Sequence, residues 1–337
     1  MKKLLVILLA LTMVLAACGG GADDPAPAEP ADENGEETAT TVDTDLFITV
    51  ATGPTSGIYY PIGGAFSSVI QNDLGFRSSA QSTGASVENI NLLLNGQAEM
   101  AIAMADAVTQ AYEAFGAFED EEPKEELRGL MSLYPNYVQL VAMADSGIES
   151  FYDLEGKRVG IGAPNSGVEL NARLMFEAHG MSYDDINEDY LNYGEAVDQM
   201  RNGMIDAAFV TSGIPNATVM DLGTTNDIRI IPIEGDGMAY LEENYPFFVP
   251  SIIPAGTYEN DEDINTATIM NLMLIHHEVP EDAVYEITKG IFEHISTIHS
   301  AHNAAERHIN MESVMDGMIV PLHPGAERFF QEEGAID

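Results

Sequence analysis

Cysteine occurs once in 337 residues, cationic side chains number only 13, and no apolar run beyond the first seventeen positions approaches the length of a membrane span. Each scarcity removes a class of function. One cysteine cannot close an intrachain disulfide or build a cysteine-based metal site. Thirteen Lys and Arg against 55 Asp and Glu give a formal net charge of −42. A surface of that sign repels nucleic-acid phosphates and anionic head groups, so no nucleic-acid partner is expected. Catalytic signatures are absent too. Gly53 to Gly57 lacks the Gly-Lys-Ser/Thr ending of a phosphate-binding loop, and no Gly-x-Gly-x-x-Gly follows the same strand. The eight histidines form no HExxH pattern, and no Gly-x-Ser-x-Gly elbow is found. Neither a cofactor nor a metal is expected.

The N-terminal residues address the compartment. Lys2 and Lys3 precede an apolar stretch from Leu4 to Ala17, which ends in Leu15-Ala16-Ala17-Cys18. That stretch is shorter than the ~20 residues of a spanning helix and has the layout of a signal peptide. With the sole cysteine after a small-residue cleavage site, residues 1–17 resemble a lipoprotein signal, and Cys18 becomes the lipidated N-terminus. The expected location is extracytoplasmic, anchored to a bacterial cell membrane. Residues 18–45, rich in Gly, Ala, Pro, Glu, Asp and Thr without apolar periodicity, form an acidic tether that cannot bury enough surface to fold. The acidity itself has two readings, attraction of a cationic solute or a solvation layer for a saline or alkaline exterior. Acids spread along the whole chain favour the second.

From Leu46 onward short β-like runs alternate with amphipathic helical stretches, the pattern of an α/β fold with parallel sheets. Strands are predicted at Leu46 to Val50, Met100 to Met104, Val138 to Met143, Arg158 to Gly162, Ala207 to Val210 and Ile228 to Ile233. Helices are predicted at Val87 to Leu94, Val168 to Ala178 and Ala196 to Asn202. After Asp261 the pattern reads as mainly helix, with one long candidate from Glu281 to about Arg307. Ligands of open α/β sheets sit beyond the carboxyl ends of the strands. There this chain places Thr52 to Pro61, Ser82 to Asn89, Ala105-Asp106 with Asp106 as a candidate N-cap, Pro164 to Glu169 with Ser166-x-x-Glu169 as a capping box, and Thr211 to Asn216. Such turns present helix N-terminal N–H groups and hydroxyls, a receptor for an oxyanion.

Several segments resemble one family, the TAXI-type solute receptors of TRAP transporters. They are Gly53 to Ala65 (GPTSGIYYPIGGA), Ser82 to Asp106, Leu133 to Gly162, Ile205 to Asn216 (IDAAFVTSGIPN), Asn244 to Tyr258 and Pro321 to Gly334. The likeness covers essentially all of the chain after the tether, in order. It implies a two-lobed fold of the periplasmic-binding-protein type II kind, with a ligand cleft between lobes and two crossover hinges. The lobes are expected at 46–136 plus 250–337 and at 137–249. It also implies a non-enzymatic receptor that hands a small carboxylate, a glutamate-like amino acid or related organic acid, to a separate TRAP membrane permease. The chain departs from the family where Thr52-Gly53-Pro54-Thr55-Ser56-Gly57 replaces a more glycine-rich loop and where Ile214 stands in place of a hydroxyl.

The expected ligand contacts are Thr55, Ser56, Gly57 and Ile58 with Tyr59, then Ser82, Thr83 and Ser86, with Asn165, Ser166 and Gly167 closing from the second lobe beside Ser212, Gly213 and Asn216. Each Ser or Thr can equally serve as a helix cap. Asp106 can receive a ligand ammonium or cap its own helix. None of the five loops holds an arginine, which favours a compact anion of modest charge. The alternative class is a secreted hydrolase-type enzyme acting on a small carboxylate, which turnover would reveal.

Overall fold

The computed structural model describes residues 44–337. The signal segment, Cys18 and nearly all of the expected tether lie outside the described residues. Ten strands form one curled sheet: β1 (Phe47–Ala51), β2 (Arg77–Gln81), β3 (Met100–Met104), β4 (Arg128–Met143), β5 (Arg158–Gly160), β6 (Asn187–Asp189), β7 (Ala207–Ser212), β8 (Ile228–Ile231), β9 (Val249–Ile253) and β10 (Ile264–Ile275). Its spatial order is β2-β1-β3-β10-β4-β7-β5-β6, with β8 on β4 and β9 on β10. Two parallel trios, β2-β1-β3 and β7-β5-β6, flank the long antiparallel pair β10 and β4. Those two strands carry the chain from one trio to the other, which makes this the periplasmic-binding-protein type of α/β fold.

The helices are α1 (Tyr59–Asn72), α2 (Ser86–Leu94), α3 (Ala105–Glu113), α4 (Gly167–Ala178), α5 (Tyr193–Arg201), α6 (Ala217–Gly223), α7 (Gly235–Asn244), α8 (Glu281–Glu293), α9 (Ile295–Ala301), α10 (Asn303–His308) and α11 (Pro324–Glu332). Helix α1 buries Ile62, Phe66, Val69 and Ile70, the spacing of one helical face, and Pro61 sits in its first turn. Strand β3, MAIAM, is buried throughout, as a parallel strand covered on both faces should be.

Three expectations need correction. The region after Asp261 opens with β10, a twelve-residue strand, and not with helix. Its Ala, Met and Leu content favours helix locally, and pairing with β3, β4 and β9 overrides that preference. The long helix from Glu281 is three helices, broken at His294 and again at His302, which adopts an extended backbone and whose ring caps α10 by accepting from the Ala304 N–H. Asp106 is not an N-cap, since α3 already starts at Ala105. A smaller difference concerns Ser166, which caps α4 through the Glu169 N–H, while the Glu169 carboxylate turns to Arg173 and Tyr183 instead of closing a reciprocal box.

Candidate functional site

The turns after β1, β2 and β5 and the end of β7 meet at the carboxyl edges of the two trios around a cavity of about 40 Å³. Gly57, Ile58 and Tyr59 line it from the first turn, Gly84 and Ala85 from the second, Ser166 from the third and Ser212 from the last position of β7. Among the described residues that line it, none is charged. Ile58 and Ala85 are the N-caps of α1 and α2, and neither helix start is capped by a side chain. Ala85 holds φ at +85°, a conformation an alanine rarely takes, and so aims the α2 N-terminus at the cavity. A helix N-terminus carries a partial positive charge, and although the Glu88 N–H of α2 is taken by Asn165 O, the two helix starts offer anion-binding polarity without a cation.

The other expected residues take different places. Thr55 and Asn165 are exposed, and Ser56 acts through its carbonyl, which accepts from Thr218 Oγ1 at 3.1 Å. Ser82 donates to Gly53 O at 2.9 Å, and Thr83 bonds Thr52 O and Asn89 Oδ1. Ser86 accepts from the Met104 N–H, and Asn216 caps α6 while its own N–H donates to Tyr258. Gly213 packs beside Ile58, Tyr134 and Ala304, close enough that a side chain there would need these neighbours to shift by a few tenths of an ångström. Gly167 meets Ser86 and Met104 across the junction between the two trios.

Asp106 is fully buried, and its Oδ2 accepts from Asn171 Nδ2 of α4 at 2.6 Å. Burial raises its pKa from 3.8 to about 7. Its Oδ1 and the Asn171 Oδ1 both lack partners within the protein. A proton on Asp106 Oδ1 would donate to Asn171 Oδ1 and complete a two-bond pair between carboxylic acid and amide.

Sequence reasoning missed the cavity floor, which comes from β4 and β7: Tyr134, Asn136 and Thr211, with Asn192 and Tyr193 beside them. Tyr59 hydroxyl donates to Asn271 Oδ1, and Tyr193 hydroxyl to Thr211 O at 2.6 Å. Burial pushes the Tyr59 and Tyr134 phenols well above their ordinary range, so both stay neutral. A signal was present. Asn136 and Gln139 stand in the mainly apolar stretch of β4 from Leu133 to Met143, and Pro135, which donates no ladder bond, stands where the β4–β10 register shifts.

The fold and this enclosed, uncharged site define the class, a two-trio α/β protein with a small-molecule cavity at the carboxyl ends of its strands. The chain belongs to the NMT1-like family, whose model matches residues 50–334. A solved structure from Bordetella bronchiseptica RB50 is similar at 16% identity, covering 86% of this chain and 83% of that one, with a TM-score of 0.51. The periplasmic aliphatic sulphonate binding protein of Escherichia coli matches at 13% identity over 85% of this chain and 82% of its own, with a TM-score of 0.45. A putative L-cystine ABC transporter protein from Listeria monocytogenes matches at 14% over 76% and 94%, also at 0.45. The first of these, at a TM-score of 0.51, shows a shared fold and no shared ligand. Among the described residues no helix is long and apolar enough to cross a membrane, and no group of three His, Cys, Asp or Glu side chains is set to hold a metal.

Proposed function

We propose that this chain is an extracytoplasmic solute-binding lipoprotein that captures a small carboxylate, a glutamate-like amino acid or related organic acid, and delivers it to a TRAP-type permease driven by an ion gradient. The observation that carries this reading is the enclosed cavity at which the uncapped starts of α1 and α2 converge with no charged side chain in the wall. Helix dipoles and N–H donors then hold the anion, and its apolar part rests on Ile58, Met104 and Val168. No general base faces the cavity, which suits capture and not turnover. The sequence motifs shared with TAXI-type receptors support the permease type. In this reading residues 46–136 with 250–337 and residues 137–249 act as lobes that close on the ligand, with β4 and β10 as hinges. Asp106–Asn171, Ser56–Thr218 and the Glu88 N–H to Asn165 O bond join the two sides.

A ligand at 100 times its dissociation constant stabilises the native state by about 2.7 kcal/mol. A thermal-shift screen of small carboxylates and cationic amino acids is therefore expected to give a saturable rise with a carboxylate. Tight binding of a cationic amino acid with no carboxylate competing contradicts the proposal. Anchoring has its own test. Cys18→Ser is expected to release the chain from the membrane fraction and abolish incorporation of a labelled fatty acid. Continued membrane retention of that variant rules out a lipid at Cys18.

A further inference from the structure

Three residues that line the cavity each carry a buried polar atom with no partner inside the protein: the Tyr134 hydroxyl, Asn136 Oδ1 and the Thr211 hydroxyl. Their side chains are among the most buried in the molecule, 0%, 2% and 1% exposed. Tyr134 and Asn136 are two apart on β4, and Thr211 pairs with Val138, the next residue of the same alternation. Leaving buried polar groups unpaired costs free energy, so three on one cavity wall require a reason.

The orientation of Asn136 is set by its neighbours. Asn271 Oδ1 accepts from the Tyr59 hydroxyl and from Asn136 Nδ2, the latter at 3.0 Å, while Asn271 Nδ2 donates to Tyr134 O at 2.7 Å. With its nitrogen committed to Asn271, the Asn136 amide has its oxygen left to offer, and that atom only accepts. The two hydroxyls can both donate. One acceptor and two donors complement an alcohol, which has one O–H and two lone pairs. An ammonium has three donors, no lone pair and a charge. No acid lines the cavity to balance that charge, because the Asp106 carboxyl is bonded to Asn171 and lies outside the wall. A ketone has no proton for Asn136.

We propose that Tyr134, Asn136 and Thr211 form a hydroxyl-reading subsite, and that the ligand is a small hydroxy-monocarboxylate with its carboxylate at the starts of α1 and α2. This rests on the carboxylate-receptor reading above and selects within it, against amino acids.

The test is a matched ligand series titrated against the purified full chain. Glycolate, lactate and 3-hydroxybutyrate set the spacing between carboxylate and hydroxyl. The best of them is then compared with its unsubstituted, oxo and amino analogues, for lactate these being propionate, pyruvate and alanine. The hydroxy acid is expected to bind about 10-fold or more tightly than each analogue, the scale of one well-made hydrogen bond. Tyr134→Phe and Thr211→Val are expected to raise the unliganded melting temperature, since each deletes an unpaired buried hydroxyl. Both should also move the hydroxy-to-unsubstituted preference toward one. An amino acid that binds as tightly as its hydroxy analogue, or variants that leave the preference unchanged, overturns the subsite while the carboxylate reading stands. Failure of every carboxylate to bind overturns both.

Discussion

Gly167→Val is expected to abolish the ligand-induced rise in melting temperature and to weaken binding at least 100-fold, while the unliganded protein melts within a few degrees of the wild type. Gly167 opens α4 and faces Ser86 and Met104 from the other side of the junction. A Cβ at this position would overlap the Met104 methyl and lie 2.7 Å from Ser86 Oγ, and valine adds two further carbons. Neither side is disrupted internally by this, since the clash exists only when α4 meets α2 and the end of β3. In the proposed two-lobe reading ligand stabilises the closed arrangement through its better affinity for it, so a variant that cannot close loses the ligand's leverage. Gly167→Ala, whose clash the flexible Met104 chain can partly relieve, should fall between the two. Calorimetric titration beside thermal melts reads both quantities. Wild-type affinity in the valine variant contradicts closure across this contact.

Asp106→Asn is expected to raise the melting temperature at pH 8 and to flatten the pH dependence between pH 4 and 7. The Asp106 carboxyl has its folded-state pKa raised by burial from 3.8 to about 7, so the folded protein binds a proton in that window that the unfolded chain has released. Stability from this group is therefore highest at low pH, falls as pH rises through the window, and stays reduced above it. At 1.36 kcal/mol per pH unit the loss is of the order of 4 kcal/mol. An asparagine can keep the bond accepted from the Asn171 nitrogen at every pH, and its own amide N–H can donate to the unpartnered Asn171 Oδ1. At about 2–4 °C per kcal/mol the gain at pH 8 is roughly 10 °C. Because the chain carries 55 acidic side chains, the meaningful quantity is the difference between variant and wild type across pH. A variant less stable than wild type at pH 8 contradicts a destabilising, buried Asp106 carboxylate at that pH.

The fold was legible where local pattern and tertiary demand agree. Strand β3 and helices α2 and α4 lie within a residue of their expected limits, because continuous apolar runs and 3.6-residue spacing mark them directly. Strand β10 was not legible, since its Met and Leu residues favour helix until β3, β4 and β9 supply ladder partners. The site was half legible. Glycine and hydroxyl turns announced the cavity's rim, and Gly57, Ile58, Tyr59, Ser166 and Ser212 do line it. Its floor was hidden because Tyr134, Asn136 and Thr211 sit inside strands, where a polar residue is read against its immediate neighbours and not against a partner more than seventy positions away. Ser82, Thr83 and Asn216 show the reverse difficulty, for hydroxyls and amides in such turns bond backbone as readily as they face a cavity.

The most direct test of the account is calorimetric titration of the purified chain with small monocarboxylates. The account predicts saturable heat with one site per chain and a return to baseline after every injection, the behaviour of a receptor. No saturable heat from any carboxylate, or a sustained signal of continuing turnover, would contradict it.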